Sequence, residues 1–210
     1  MQLSPTPNTF NNIPQVYLRI SHLLNRFVME LSEAIKGRRS IRKFKPDSVA
    51  KELLVDILEA GNWAPSAKNG HQWRFTVLTR KAKDDYNSMF RDTLDGFIKK
   101  HGRNEAGSAP GTLAIMEEAP VLVIVWNTNE YGWPSEEHSV AAAMQNICLR
   151  AYDLGLGSLW IGDVFYAYPE TIEYFGKNWK LSGAISIGYP DTVGKVPKKK
   201  SLDEVAEFIE

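Results

Sequence analysis

The chain has 210 residues, of which 43% are hydrophobic, and its 25 Lys and Arg residues balance 25 Asp and Glu residues. This length and apolar content suit one domain with a substantial core. A formal net charge of zero argues against a protein dedicated to nucleic acid or to a membrane surface, since both partners normally select a net basic field. A single cysteine excludes an internal disulfide, and no apolar run approaches the roughly 20 residues of a membrane helix. With no secretory signal pattern at the N-terminus, we expect a soluble cytoplasmic protein.

The beginning of the chain is predicted as an arm followed by a helix. Residues 1–14 are polar and contain prolines and asparagines, whereas residues 16–28 carry apolar side chains at helical spacing. We therefore expect residues 1–28 to form an N-terminal arm and helix, and residues 29–210 to form a single domain. A short helix from Met29 is expected to end at Gly37, because glycine adopts the left-handed conformation of a helix end without steric cost.

The rest of the chain alternates predicted helices and strands. Expected strands are residues 74–79, 120–126, 155–162 and 181–188. Expected helices are residues 46–60, 83–100, 136–154 and 169–175, with a capping box for a last helix at residues 201–204. The segment 101–112 contains glycines and is predicted as a mobile loop or lid. The irregular intervals favour a mixed α/β domain without a doubly wound rhythm.

Several kinds of site have no pattern in this sequence. There is neither a G-x-G-x-x-G motif after a strand nor a P-loop motif. The four histidines lack metal-ligand spacing, so no metal site is predicted. Cys148 lies inside a predicted helix between apolar neighbours, where a buried inert thiol is expected rather than a nucleophile. No catalytic side chain is therefore predicted.

Four separated clusters carry groups that suit a ligand. Arg38-Arg39-Ser40 and residues 198–200 supply cations, residues 65–69 supply amide and hydroxyl groups, and residues 157–162 supply backbone N–H groups beside glycine. Each cluster alone also fits an ordinary surface feature: a basic turn, a solvated tail or a simple Asn-Gly turn. Together they would hold an elongated ligand with a phosphate at one end and a flat polar ring system at the other.

These clusters resemble the FMN-dependent nitroreductase family, from about Glu30 to the C-terminus. Five segments carry the resemblance, in the family's order: residues 33–44 (EAIKGRRSIRKF), 64–69 (APSAKN), 142–146 (AAMQN), 155–162 (GLGSLWIG) and 187–190 (IGYP). The resemblance implies an α/β (α+β) three-layer fold with a mixed central β-sheet flanked by helices. It also implies a homodimer that binds FMN at the subunit interface.

The resemblance also assigns roles to individual residues. Arg38 and Ser40, with Arg39 beside them, would hold the phosphate and ribityl groups. Asn69 would reach the pyrimidine edge of the flavin, and Pro65 and Ser66 would complete the pocket from the partner subunit. The backbone of Trp160, Ile161 and Gly162 would face the redox edge of the ring.

Two positions depart from the family pattern. Lys199 lies where relatives often have a phosphate-binding arginine, and its point charge leaves Lys198 and Lys200 as alternatives. Ser139 stands where many relatives have an acidic residue, and the sequence assigns it no role.

The activity implied by the resemblance is hydride transfer from NADH or NADPH through FMN to nitroaromatics, quinones or similar small acceptors, in a ping-pong cycle. Specialised relatives that dehalogenate, cleave flavin or oxidise azolines are an alternative. A flavin-binding protein without catalytic activity is a third possibility. No nucleic-acid or membrane partner is expected.

Overall fold

The centre of the sheet is β2, Val121–Asn127, all seven residues of which are buried. Its continuous apolar run is typical of a strand covered on both faces, as the sequence predicts. β1, Trp73–Thr79, pairs with one side of β2, and β4, Lys180–Gly188, pairs with the other. β3, Gly157–Ile161, pairs with the far side of β4. The strand order is β1-β2-β4-β3, and all three pairings are antiparallel.

The structure is a computed structural model, and it describes residues 29–194 and 196–209. Residues from Leu31 onward belong to one compact unit. The predicted arm and helix of residues 1–28 lie outside the described residues, so that division of the chain stays a prediction. None of the described helices is long and apolar enough to cross a membrane.

Six α-helices surround the sheet in the described part of the chain. They are α1 Leu31–Gly37, α2 Lys51–Asn62, α3 Arg80–His101, α4 Ala109–Glu118, α5 Pro134–Asp153 and α6 Tyr168–Phe175. Short 3₁₀ turns add Ala67–Asn69, Asp163–Ala167 and Leu202–Glu204. The predicted capping box at Ser201 and Glu204 is present, although the element that it starts is a single turn rather than an α-helix.

Alternate residues of β2 enter two separate cores. Val121, Val123 and Val125 pack in a cluster with buried residues of α2 and α5. Leu122, Ile124 and Trp126 pack in a second cluster with buried residues of α3 and α4. Because successive side chains of a strand point to opposite faces, the sheet is covered by helices on both sides. The predicted three-layer α/β fold is therefore confirmed.

The segment after α1 extends the sheet beyond β3. Ser40 forms an isolated parallel bridge with Ser158, and the Ile41 N–H donates to the Ser158 carbonyl at 3.0 Å. Four residues later Phe44 forms an antiparallel bridge with Pro190. The basic cluster is thus attached to the edge of β3 by one parallel bridge. The four-stranded sheet itself is antiparallel rather than mixed, because each of its strands runs opposite to the strand it pairs with.

Two predicted helix boundaries were wrong. Helix α2 begins at Lys51 rather than at residues 46–48, with the extended Ala50 at its N-cap and no side-chain cap. Helix α4 begins at Ala109, inside the segment predicted as a loop, because Pro110 occupies the first turn, where its missing N–H costs nothing.

Helix α1 ends at Gly37 as predicted, but not for the predicted reason, a left-handed backbone conformation. Gly37 is the last residue of α1 but does not have a positive φ. A Cβ atom at this position would lie 2.3 Å from the hydroxyl oxygen of Tyr152 in α5. Glycine is needed here for the close approach of the two helices.

Candidate functional site

A cleft of about 780 Å³ opens beside the segment that follows α1. Five cationic residues line it: Lys36, Arg38, Arg39, Arg42 and Lys199. Ser40 also lines the cleft, and no carboxylate does so among the described residues. Such a surface suits an anion that can accept several charge-assisted hydrogen bonds. We call this set of residues the cationic cleft.

The two neighbouring arginines of the cleft differ in how far they are already engaged. Arg39 donates from Nη1 to the carbonyls of Lys36 and Arg38, at 2.6 and 2.8 Å. Arg38 is half-buried. Its side chain forms neither a hydrogen bond nor an ion pair with any other described residue. The Arg38 guanidinium therefore has donors available for a ligand.

The structure separates the three lysines that the sequence left as alternatives. Lys199 lines the cationic cleft, whereas Lys198 and Lys200 are not among its described lining residues. Lys36 and Arg42 were not predicted as site residues, although both lie in the same basic stretch of sequence. Their proximity to Arg38 was the available signal.

Strand β3 runs from the cationic cleft toward the predicted redox-edge residues. Ser158, near its start, bridges to Ser40, while Trp160 is 40% exposed, Ile161 is buried and Gly162 is exposed beyond its end. At about 3.3 Å per residue, Ser158 and Gly162 are roughly 13 Å apart along the strand. A ligand that reaches both ends must be elongated, in agreement with the shape expected from the sequence.

The loop that carries Pro65, Ser66 and Asn69 has a strained backbone. Lys68, Asn69 and His71 have φ angles of 52°, 54° and 47°, in the left-handed region that non-glycine residues rarely adopt. The Ser66 Oγ accepts the His71 N–H at 3.1 Å, and the Asn69 Oδ1 lies 2.9 Å from the His71 Nε2. Ser66, Asn69 and His71 thus form one hydrogen-bonded unit. Strain that the surrounding structure maintains is typical of binding loops.

Ser139 of α5 anchors this loop, which the sequence did not reveal. Its Oγ accepts the Ala67 N–H at 2.9 Å and donates to the Ser135 carbonyl at 2.8 Å. Gln72 adds a second anchor by donating from Nε2 to the Ala67 carbonyl at 2.9 Å. A serine inside a helix pattern carries no signal of such a long-range contact.

The candidate site has two halves, the cationic cleft and the loop that carries Asn69, and they contact opposite ends of α5. Ser139, in its second turn, holds the loop, and Tyr152, in its last turn, packs against Gly37 beside the cationic cleft. Thirteen residues at 1.5 Å each place these contacts roughly 20 Å apart along the helix axis.

The thiol of Cys148 is the remaining candidate reactive group among the described residues. Cys148 is buried, and burial raises the pKa of its thiol, while its hydrogen bond with Ser158 acts in the opposite direction. A thiol of this kind is a poor nucleophile. Across the described ranges, no group of three or more His, Cys, Asp or Glu residues is placed to hold a metal ion.

The three-layer fold defines a class of mixed α/β domains, in which the cationic cleft at the edge of β3 is the candidate binding site. Within that class, residues 35–189 match the Nitroreductase family, and the chain belongs to this family.

Individual relatives agree with this assignment. Nitroreductase NfnB of Mycolicibacterium smegmatis is 40% identical over 195 residues, which span 77% of this chain and 83% of NfnB. YfhC of Bacillus subtilis, assigned as an NAD(P)H nitroreductase, is 27% identical over 190 residues, 82% of this chain and 90% of YfhC. Among solved structures, a nitroreductase with bound FMN from Bacteroides fragilis is 27% identical with a TM-score of 0.68, and the match covers 87% of this chain and all of that one.

Proposed function

We propose that this protein is an FMN-dependent oxidoreductase that transfers hydride from NADH or NADPH to nitroaromatic, quinone or similar acceptors. The observation that carries the proposal is a cationic cleft that no described carboxylate lines, attached to the edge of β3 in a member of the Nitroreductase family. The relatives support the cofactors, since one is assigned as an NAD(P)H nitroreductase and another contains bound FMN.

The cationic cleft would hold the phosphate of FMN. Arg38 offers a guanidinium without an internal hydrogen bond among the described residues, Ser40 offers a hydroxyl, and Lys199 adds a third donor from the tail. Arg39 contributes mainly charge, because one of its nitrogens already donates to two carbonyls. The residues present therefore fit a phosphate group, which accepts multiple charge-assisted hydrogen bonds.

The strained loop would supply the polar contacts to the ring system. Hydrogen bonds join Ser66, Asn69 and His71 into one unit. The side chains of Pro65, Ser66 and Asn69 would therefore all contact a given ligand from the same protomer. If Pro65 and Ser66 act across the interface, Asn69 acts across it as well. The contacts of α5 with the loop, at Ser139, and with Gly37 beside the cleft, at Tyr152, lie roughly 20 Å apart along the helix axis of one protomer, which supports this arrangement.

A homodimer would bring the cleft of one chain to the loop of another. The described unit exposes large apolar side chains that a second copy can cover. Among them are Leu31, Ile35 and Trp63 in or beside α1 and α2, and Leu202, Val205, Phe208 and Ile209 in the tail.

Bound FMN, with its phosphate held by Arg38, Ser40 and Lys199, would supply the hydride-transfer chemistry that links the nicotinamide to the acceptor in ping-pong order. The chain itself would bind and orient the reactants, and the backbone of residues 160–162 would border the reacting edge. The cations of the cleft would favour negative charge on the bound groups. This division of labour requires no protein nucleophile.

The visible spectrum of the purified protein tests the proposal. We expect a yellow protein, or one that becomes yellow with added FMN, and bleaching by NADH or NADPH without oxygen. A protein that neither retains nor takes up FMN would disprove the proposal. A yellow protein that neither nucleotide bleaches would instead be a flavin-binding protein without this activity.

A further inference from the structure

Two stacked aromatic rings lie exposed beside the loop that carries Asn69. The rings of Tyr131 and Trp133 have centroids 5.1 Å apart at 29°, and each residue is 40% exposed. The Lys68 Nζ lies 4.7 Å from the centre of the Trp133 ring and 5.8 Å from that of Tyr131. We call Lys68, Tyr131 and Trp133 the aromatic platform.

Buried polar groups fix the backbone of the platform. Glu136 is fully buried, and its carboxylate accepts the N–H groups of Tyr131 and Trp133 at 3.2 and 2.9 Å. Asn127 is also fully buried and accepts the Asn129 N–H at 2.8 Å. Burial of a carboxylate and an amide costs free energy, which an ordinary solvated turn would avoid. The backbone that carries the two rings is therefore held by Glu136 and Asn127.

The charge of Lys68 is not neutralised within the described residues. Lys68 forms no ion pair there, either with Glu130, which is exposed next to Tyr131, or with Glu136 and Glu137, which are engaged elsewhere. Glu136 binds the two backbone N–H groups, and Glu137 binds the side chains of Asn127 and Ser182 at 2.7 and 2.9 Å. An ammonium group has three donors, and a ring face orients it without saturating them.

We propose that the aromatic platform binds the electron acceptor and selects planar aromatic compounds that carry an anionic group, such as a carboxylate. The exposed ring faces would stack on the acceptor, and Lys68 would pair with its charge. This inference rests on the proposed function, because it places the platform beside the flavin through the neighbouring Asn69.

The test compares an anionic acceptor with a neutral one of the same shape. Calorimetry would measure the binding of 4-nitrobenzoate and 4-nitrobenzamide to the FMN-loaded protein, and steady-state assays with NADPH would give KM for both. Lys68→Met keeps the length of the side chain and removes its charge. We expect it to weaken 4-nitrobenzoate binding and raise its KM roughly fivefold, and to leave 4-nitrobenzamide unchanged, since an exposed charge pair contributes up to about 1 kcal/mol.

Two further variants separate charge from stacking and from general effects. Trp133→Leu should weaken the binding of both compounds, because both lose the ring face. Lys177→Met is the matched control, since its Nζ lies 4.9 Å over the Trp179 ring in a comparable cation–π pair that shares no residue with the aromatic platform. It should change neither affinity.

The outcomes distinguish this inference from the proposed function. Equal effects of Lys68→Met on both compounds, or no effect on either, would overturn the inference. A change in oligomeric state with unchanged acceptor affinity would also overturn it, because the platform would then be an interface between copies. Absence of FMN uptake by the wild-type protein would disprove the proposed function, whereas calorimetry on the protein as purified would still report whether Lys68 selects the anion.

Discussion

Arg38 and Arg39 are neighbours in sequence but differ in the hydrogen bonds they have available. One Arg39 nitrogen already donates to two carbonyls, whereas the Arg38 guanidinium forms no hydrogen bond among the described residues. We expect Arg38→Ala to weaken FMN binding about 10- to 100-fold, since a hydrogen bond to a charged group contributes roughly 1.5–3 kcal/mol. Titration of the apo-protein with FMN, followed by flavin fluorescence, would measure the change.

Arg103→Ala is a suitable control for this titration. Arg103 is exposed and donates to the Gly107 carbonyl at 3.2 Å, and it is not among the described residues that line the cationic cleft. FMN affinity that is the same in Arg38→Ala as in Arg103→Ala would place the phosphate elsewhere.

Tyr86 makes the stability of the folded protein depend on pH in alkaline solution. Burial raises the pKa of Tyr86 to about 12, and its hydrogen bond with Thr171 partly opposes this shift. The unfolded chain loses the same proton near pH 10. Between these values the folded state binds more protons, so the free energy of unfolding falls as pH rises, by a total on the order of 2–3 kcal/mol.

We therefore expect Tyr86→Phe to lose less stability than the wild type between pH 9 and pH 11.5, as measured by urea denaturation. Tyr166→Phe is the control, because it removes an exposed hydroxyl that bonds the Glu105 carbonyl. A slope of stability against pH that is identical in wild type and Tyr86→Phe would contradict the expectation.

The contact between β3 and the basic segment depends on Gly157. A Cβ atom there would lie 2.6 Å from the Cγ1 of Ile41, which is buried beside the Ser40–Ser158 bridge. We expect Gly157→Ala to lower the free energy of unfolding by about 1–3 kcal/mol through overpacking, and to weaken FMN binding as the segment shifts. Combination with Ile41→Ala should cost less than the sum of the two single changes, in a double-mutant cycle followed by urea denaturation.

For Gly96→Ala, also a glycine-to-alanine change, we expect a gain in stability rather than a loss. Gly96 lies inside α3, and nothing would contact its added Cβ within 4 Å. Alanine is the better helix former by up to about 1 kcal/mol, so this variant should be more stable than the wild type. A loss of stability in both glycine variants would mean that contact with Ile41 is not the cause.

The helices and strands that the sequence predicted correctly are those whose residue pattern lies within a short segment of the chain. β2 was predicted from its continuous apolar run, and α5 from its many small residues. The start of α2 was misplaced because Pro46, Asp47 and Ser48 have cap-like chemistry, yet the helix begins at Lys51 without a side-chain cap. Helix α4 was missed because Pro110 and Gly111 resemble loop residues, and only tertiary burial of Leu113 and Met116 stabilises it.

For the molecule as a whole, the proposed shared site predicts a dimer. Light scattering should give twice the chain mass of 23.7 kDa. Deletion of residues 201–210, which removes four exposed apolar side chains of the tail, should shift the equilibrium toward monomer and weaken FMN retention. A wild-type monomer that binds FMN tightly would contradict the shared-site arrangement.

The sequence predicted only part of the candidate site, because some of its contacts form between segments that are far apart in the chain. Arg38 and Ser40 could be found because phosphate binding needs particular residue types close together in sequence. The anchoring of the loop by Ser139 and the approach of Gly37 to Tyr152 could not be found, since both are contacts between segments that only the complete fold brings together.

Helix α5 touches both halves of the candidate site, one through Ser139 and the other through Tyr152. In a two-fold symmetric dimer, each pocket would take its cleft from one copy of this helix and its loop from the other. Occupation of the first pocket would then restrain both long helices, and the second flavin would meet a pocket that is already ordered. The two sites would fill with positive cooperativity, and dimers carrying a single flavin would be scarce.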